Sequence, residues 1–154
     1  MTSRKRKRAA RAPNGSTPTT YVESSALLSA FLERDVAARR AMRAAGRLVS
    51  SALTLTEAYR AVIRARVSGR MQAEQERVAL RGLRTFAQRC ELLTITNEVL
   101  ERAGRPFPVE PIRTLDAIHL ASIEILDETP QLVTVVTRDI RVAQNARALG
   151  YTIA

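Results

Sequence analysis

The sequence predicts a layered α/β domain built on a mostly parallel sheet. From Thr19 onward, short β-prone runs alternate with longer helix-prone runs, the pattern of strands joined by helical crossovers. A chain of 154 residues fits one domain and can bury a core unaided. The single cysteine, Cys90, permits no intrachain disulfide, which excludes a cross-linked secreted scaffold; Cys90 opens an apolar segment and reads as core.

The elements follow in order. "TYV" is a first strand, and "SSALLSAFLER" after it a helix that Ser24 or Ser25 can cap. "VAARRAMRAAG" is a second helix, ended by Gly46, and "LVSS" the next strand. In "TLTEAYRAVIRARVSG", Leu55, Tyr59, Val62 and Arg66 line one side and Gly69 offers a stop. "MQAEQERVALRGLRTFAQR" is a charged amphipathic helix, "CELLTI" a strand, and "TNEVLERAG" a short helix capped by Thr96 or Asn97. "RPFPVEP", with three prolines in seven residues, is a loop. A helix from Arg113 to Leu126 follows, then the β-branched strand "QLVTVVT". "DIRVAQNARALG" is a helix capped by Asp139 and ended by Gly150, and "YTI" adds an edge strand.

The net charge of +10 is unevenly spread. Residues 1–20 carry six basic residues and no acid, in a run of turn formers with almost nothing to bury, so a disordered basic tail precedes a domain over 21–154. Such a tail can bind nucleic acid electrostatically, can resemble an import signal, or can be solvated without a specific role. No run approaches the roughly 18 apolar residues of a membrane span, and no apolar signal region follows the basic start. The expectation is a soluble, cytoplasmic protein with no membrane partner.

Four acids merit attention. Asp116 sits in a helix that is apolar on nearly every face, where an unpaired carboxylate costs several kcal/mol, on the order given for buried ions. It needs a cation, a hydrogen bond, neutralisation or an ion pair; Arg113 one turn back and the helix dipole are ordinary solutions. Asp139, between a strand and a helix, has the look of an N-cap. Glu57 falls about 200° from Leu55 at roughly 100° per residue, opposite the apolar stripe and near Arg60 and Arg64, as in a surface ion pair. Glu23 can satisfy the amides of the helix that follows it. Glu23 and Asp139 nonetheless both stand at carboxyl ends of strands, where open parallel sheets bind ligands.

Read together, "YVESSALL", "TEAYRAVIRA", "LRTFAQ" with "NEVLERA", "RTLDAIHLAS" and "VTRDIRVAQNARALGY" resemble the PIN-domain ribonucleases, especially VapC-type toxins of toxin-antitoxin pairs. The resemblance spans Tyr21 to Ile153. It implies a three-layer α/β/α PIN-like fold with a mostly parallel central sheet. It implies a metal-dependent endoribonuclease that hydrolyses RNA through metal-activated water, held inactive by a cognate antitoxin, and often dimeric. The family's four metal-holding acids carry over to Glu23, Glu57, Asp116 and Asp139, with Mg²⁺ or Mn²⁺ as cofactor. Ser25 and Thr137 match its supporting hydroxyls. Glu23 departs from the family's usual Asp by one methylene, a change an oxygen-ligand site that keeps waters can absorb.

Carboxylates suit this chemistry because Mg²⁺ and Mn²⁺ prefer oxygen donors, and such ions activate water and neutralise phosphate charge. Arg60, Arg64, Arg113 and Arg138 are the candidate phosphate contacts. With three tyrosines, three phenylalanines and no tryptophan, recognition should rest on RNA shape and backbone. His119, the only histidine, lies one turn after Asp116 and is more often a hydrogen-bonded core residue than a general base. The competing readings are a PIN-like module that binds RNA or protein without cutting, and an α/β interaction domain whose acids are caps and ion pairs.

Overall fold

A computed structural model describes residues 18–154; most of the basic tail lies outside the described residues. Five strands alternate with seven helices among these residues: β1 (Thr19–Val22), α1 (Ser24–Leu32), α2 (Val36–Ala44), β2 (Arg47–Ser51), α3 (Ala52–Val67) and α4 (Ala73–Arg89) come first. Then follow β3 (Glu91–Leu93), α5 (Asn97–Ala103), α6 (Thr114–Glu124), β4 (Val133–Val136), α7 (Ile140–Ala148) and β5 (Thr152–Ile153). The sheet order is β3-β2-β1-β4-β5. Every neighbouring pair is parallel, so each connection is a helical crossover.

Side chains of the central strands alternate between two cores, which makes the architecture three-layered. Tyr21, Val49, Val133 and Val135 face a cluster completed by Val99, Leu120, Ile123, Val142 and Ala146, from the side of α5, α6 and α7. Val22, Leu48 and Val136 face the other cluster, with Leu27, Ala58, Val62, Leu83 and Phe86 from α1, α3 and α4. The period of two along each strand thus sends successive residues to opposite helical layers. Gly82 on α4 lets α1 come close, because a Cβ there would lie 2.5 Å from Cε1 of Phe31.

Several boundaries differ from the sequence expectation, each for a local reason. Thr19 and Thr20, placed at the end of the tail, belong to β1; they are buried and pair with β2 and β4. α1 is capped by Glu23, whose side chain accepts from the Ser25 amide, rather than by Ser24 or Ser25. α2 stops at Ala44, with Ala45 already extended at φ −60° and ψ 129°, two residues before Gly46. Gln131 and Leu132 form a 3₁₀ turn begun by Pro130, so β4 starts only at Val133. Thr96, Asp139 and the edge position of "YTI" are as expected. Cys90 is half-buried at the margin of the α1–α4 core, and burial pushes its thiol up to about 12.

Candidate metal and active site

β1 lies at the centre of the sheet, with β2 on one side and β4 on the other. The chain runs outward through β2 and β3 before crossing to β4, so the β1/β4 seam is where the winding reverses direction. A crevice opens at such a point beyond the carboxyl ends of the strands. The Glu23 amide continues the ladder there, donating to the Val136 carbonyl at 3.0 Å.

Glu23 is only 3% exposed, and its carboxylate is held by a ring of donors. Oε1 accepts from the Ser24 hydroxyl at 2.5 Å and the Ser25 amide at 3.0 Å. Oε2 accepts from the Ser25 hydroxyl and from Thr137 Oγ1 at 2.8 Å. Ser25 Oγ in turn accepts from the amides of Arg138 and Asp139, at 2.8 and 3.0 Å. The two hydroxyls matched by resemblance therefore stitch the end of β1 to the end of β4.

Asp139 caps α7: its Oδ1 accepts from the amides of Arg141 and Val142, at 2.7 and 3.2 Å. The N-cap reading of Asp139 is correct as geometry, and the cap presents the residue at the seam beside Thr137 and Ser25.

Glu57 departs from its expected position. It makes no surface pair with Arg60 or Arg64; its Oε2 lies 2.7 Å from Nε2 of the fully buried His119. The physical reason is that α3 buries Thr54, Ala58 and Val62, whereas Leu55 and Tyr59 are only half-buried. Glu57, three residues after Thr54, shares that inward face. The apolar stripe was drawn through the larger side chains, and the helix packs on its smaller ones.

His119 links the two layers of the site. Its Nδ1 lies 3.0 Å from the Tyr21 hydroxyl, and its Nε2 is also 3.8 Å from Glu23 Oε1. Glu23, Glu57 and His119 each offer a ligand atom within 4.8 Å of one another.

Asp116, in the first turn of α6, has an oxygen, Oδ2, that is buried with no hydrogen-bond partner. Burial raises its pKa, the negative charges of Asp139 and Glu23 raise it further, and Arg113 and His119 only partly oppose them. An orphaned carboxylate oxygen in the negative field of two other acids is a hard donor that fits a divalent cation, although Asp116 and Asp139 stand outside the close group of Glu23, Glu57 and His119. The loop that leads into α6 is clamped: Asn145 donates to the Val109 carbonyl and accepts from its amide, both at 2.9 Å. Glu110 accepts from the amides of Phe107 and Ile112.

The candidate phosphate contacts divide by environment. Arg60, Arg64 and Arg113 are exposed. The Arg138 guanidinium is engaged, with Nε 2.6 Å from Asp35 Oδ2 and Nη1 on the carbonyls of Thr137 and Ala154. That contact, with the Ala38 amide, holds the Asp35 carboxyl well below the usual range.

An all-parallel α/β/α domain with acids gathered at its winding reversal is one class of protein. Comparison with known families narrows it: the PIN domain model matches residues 20–148, and the chain belongs to that family. Among solved structures, VapBC2 from Rickettsia felis, bound to a DNA fragment from its promoter, is similar with a TM-score of 0.58 and 13% identity. The match covers 88% of this chain and 97% of that one. VapBC-1 from nontypeable Haemophilus influenzae is similar with a TM-score of 0.53 and 16% identity, over 88% and 96% of the two chains. A comparison with curated protein sequences finds no match.

Sequence reasoning missed the partners of Glu57 and the role of Asn145. Both are contacts between residues 36 or more positions apart, 62 for the pair His119 and Glu57. No helical or strand period reports such pairs.

Proposed function

We propose that this protein is a divalent-metal-dependent endoribonuclease of the VapC type, the toxin half of a toxin-antitoxin pair. The observation that carries the reading is Asp116: a carboxylate oxygen buried without a partner in the negative field of Glu23 and Asp139. Three mutually repelling acids at the carboxyl edge of a sheet are costly unless a cation joins them. Membership of the PIN family and the likeness to two VapBC structures support the same reading.

Glu23, Glu57, Asp116 and Asp139 would hold Mg²⁺ or Mn²⁺. Such an ion, when bound, makes water a nucleophile near neutral pH and neutralises charge on the scissile phosphate. The chain's own contribution is positional. Ser24, Ser25 and Thr137 fix both oxygens of Glu23, and the α7 amides fix Asp139. The exposed Arg60, Arg64 and Arg113 supply positive charge for an RNA backbone. An antitoxin covering the acidic crevice would keep the enzyme silent, and residence in the cytoplasm follows from an RNA substrate. Among the described residues no helix is long and apolar enough to cross a membrane.

The test is cleavage of mixed cellular RNA by purified protein with Mn²⁺, wild type against Asp116→Asn. Cleavage should fall at least about a hundredfold in the variant, on the order expected for losing an electrostatic catalytic group, while RNA binding is retained. Intact RNA with the wild-type protein, together with harmless expression, would favour a PIN-like module that binds RNA or protein without cutting.

A further inference from the structure

Tyr21, His119 and Glu57 form a hydrogen-bonded chain that runs from the buried end of β1 to α3. Tyr21 and His119 are each 0% exposed, and both nitrogens of the imidazole are engaged. Neither contact resembles incidental packing, since a buried imidazole with two polar partners has a defined tautomer and a defined ring orientation.

The tautomer follows from what each partner can do. Glu57, as a carboxylate, can only accept, so Nε2 must carry the proton. The Tyr21 hydroxyl, 3.0 Å from Nδ1, holds the other side of the ring. The direction at the acid is therefore Nε2–H to Glu57 Oε2.

We infer that Tyr21 and His119 are positioning residues that set the orientation of Glu57 for metal binding, with His119 acting as a hydrogen-bond donor and not as a metal ligand. The inference rests on the metal reading above and deepens it. A nitrogen whose lone pair is replaced by N–H cannot coordinate an ion, so the close triad of Glu23, Glu57 and His119 is two oxygen ligands and their shared donor. The same N–H, 3.8 Å from Glu23 Oε1, lies between the two carboxylates and offsets part of their repulsion before an ion arrives. Among the described residues Glu57 has no other hydrogen-bonding partner, unlike Glu23 with its ring of hydroxyls. Its rotamer depends on this one histidine.

The chain's only histidine makes the experiment direct. Nitrogen-15 labelling of histidine in the full protein gives one imidazole, whose two nitrogen shifts report the tautomer. The expected spectrum shows a protonated Nε2, still protonated after Mg²⁺ saturation. A bare Nε2, or loss of the Nε2 proton on adding Mg²⁺, overturns the inference without requiring any variant. Calorimetric titration with Mn²⁺ supplies the second readout. His119→Ala should weaken Mn²⁺ binding by about tenfold or more, the usual effect of removing a ligand's supporting partner. His119→Gln, whose amide can still donate, should recover part of that loss, and Tyr21→Phe should show a smaller one. Mn²⁺ binding of wild-type strength in His119→Ala overturns this inference alone. Absence of Mn²⁺ binding in the wild-type protein overturns the proposed function and the inference with it.

Discussion

Thr137, at the end of β4, donates its hydroxyl to Oε2 of Glu23, at the end of β1, across 2.8 Å. Two neighbouring strands are thereby locked at their carboxyl ends through a side chain that would hold the metal. Thr137→Val keeps the shape and removes the donor. It also deprives the Asp139 amide of one of its two acceptors. The expected loss is about 1–3 kcal/mol in urea denaturation of the metal-free protein, the cost of leaving buried polar groups short of partners. A urea midpoint equal to the wild type's would show that the ring around Glu23 is dispensable.

Asp116→Asn should stabilise the metal-free protein at neutral pH even as it abolishes activity. Burial and the charges of Asp139 and Glu23 raise the Asp116 pKa in the folded state. Below the unfolded value, about 4, both states are protonated and the group costs nothing. As pH rises past that value the unfolded chain ionises first, so stability falls and stays lower above the folded pKa. Asparagine removes this loss. The variant should melt a few degrees higher than wild type at pH 7, with the difference vanishing below about pH 4. Thermal melts across that range in chelator decide the point.

Metal should reverse the order of the two proteins. An ion that binds only the folded chain stabilises it by about 2.7 kcal/mol at a hundred times its Kd. Adding Mn²⁺ in the millimolar range should raise the melting temperature of wild type and leave Asp116→Asn nearly unmoved. Equal shifts for both would place the ion elsewhere on the protein.

The contact between α1 and α4 predicts a paired effect distant from the acids. Gly82→Ala gains about 1 kcal/mol in helix propensity, but its Cβ would lie 2.5 Å from the Phe31 ring. Overpacking of this kind costs about 1–3 kcal/mol, so the single variant should be no more stable than wild type. Phe31→Leu combined with Gly82→Ala should be more stable than Phe31→Leu alone, as measured by urea midpoints. A Gly82→Ala midpoint raised by the full propensity gain would mean that Phe31 moves aside freely.

Much of the layout was legible in the sequence because parallel strands buried on both faces produce apolar runs separated by capped helices. Asp139 and Thr96 announced their caps by residue type and place. Glu57 was harder. Its helix carries large apolar side chains on one face and small ones on another, and the sheet accepts the face of Thr54, Ala58 and Val62. A stripe traced from Leu55 and Tyr59 points the wrong way when close helix packing selects Thr54 and Ala58. The environment of Asp116 was anticipated as a problem of burial, but Arg113 does not resolve it: the guanidinium acts at a distance and leaves Oδ2 bare. His119 was given a structural part, and its hydrogen bonds to Tyr21 and Glu57 accord with that. Its partners depend on how α3, α6 and β1 meet, which is a property of the assembled fold.

The strand order carries a consequence for how this protein is made. β1 is synthesised first, yet the neighbour that completes its second edge, β4, begins at Val133, more than a hundred residues downstream. Thr137 and Asp139 arrive with it. Until residues beyond Val136 leave the ribosome, Glu23 therefore lacks the Thr137 hydroxyl and the Asp139 cap that complete its end of the sheet.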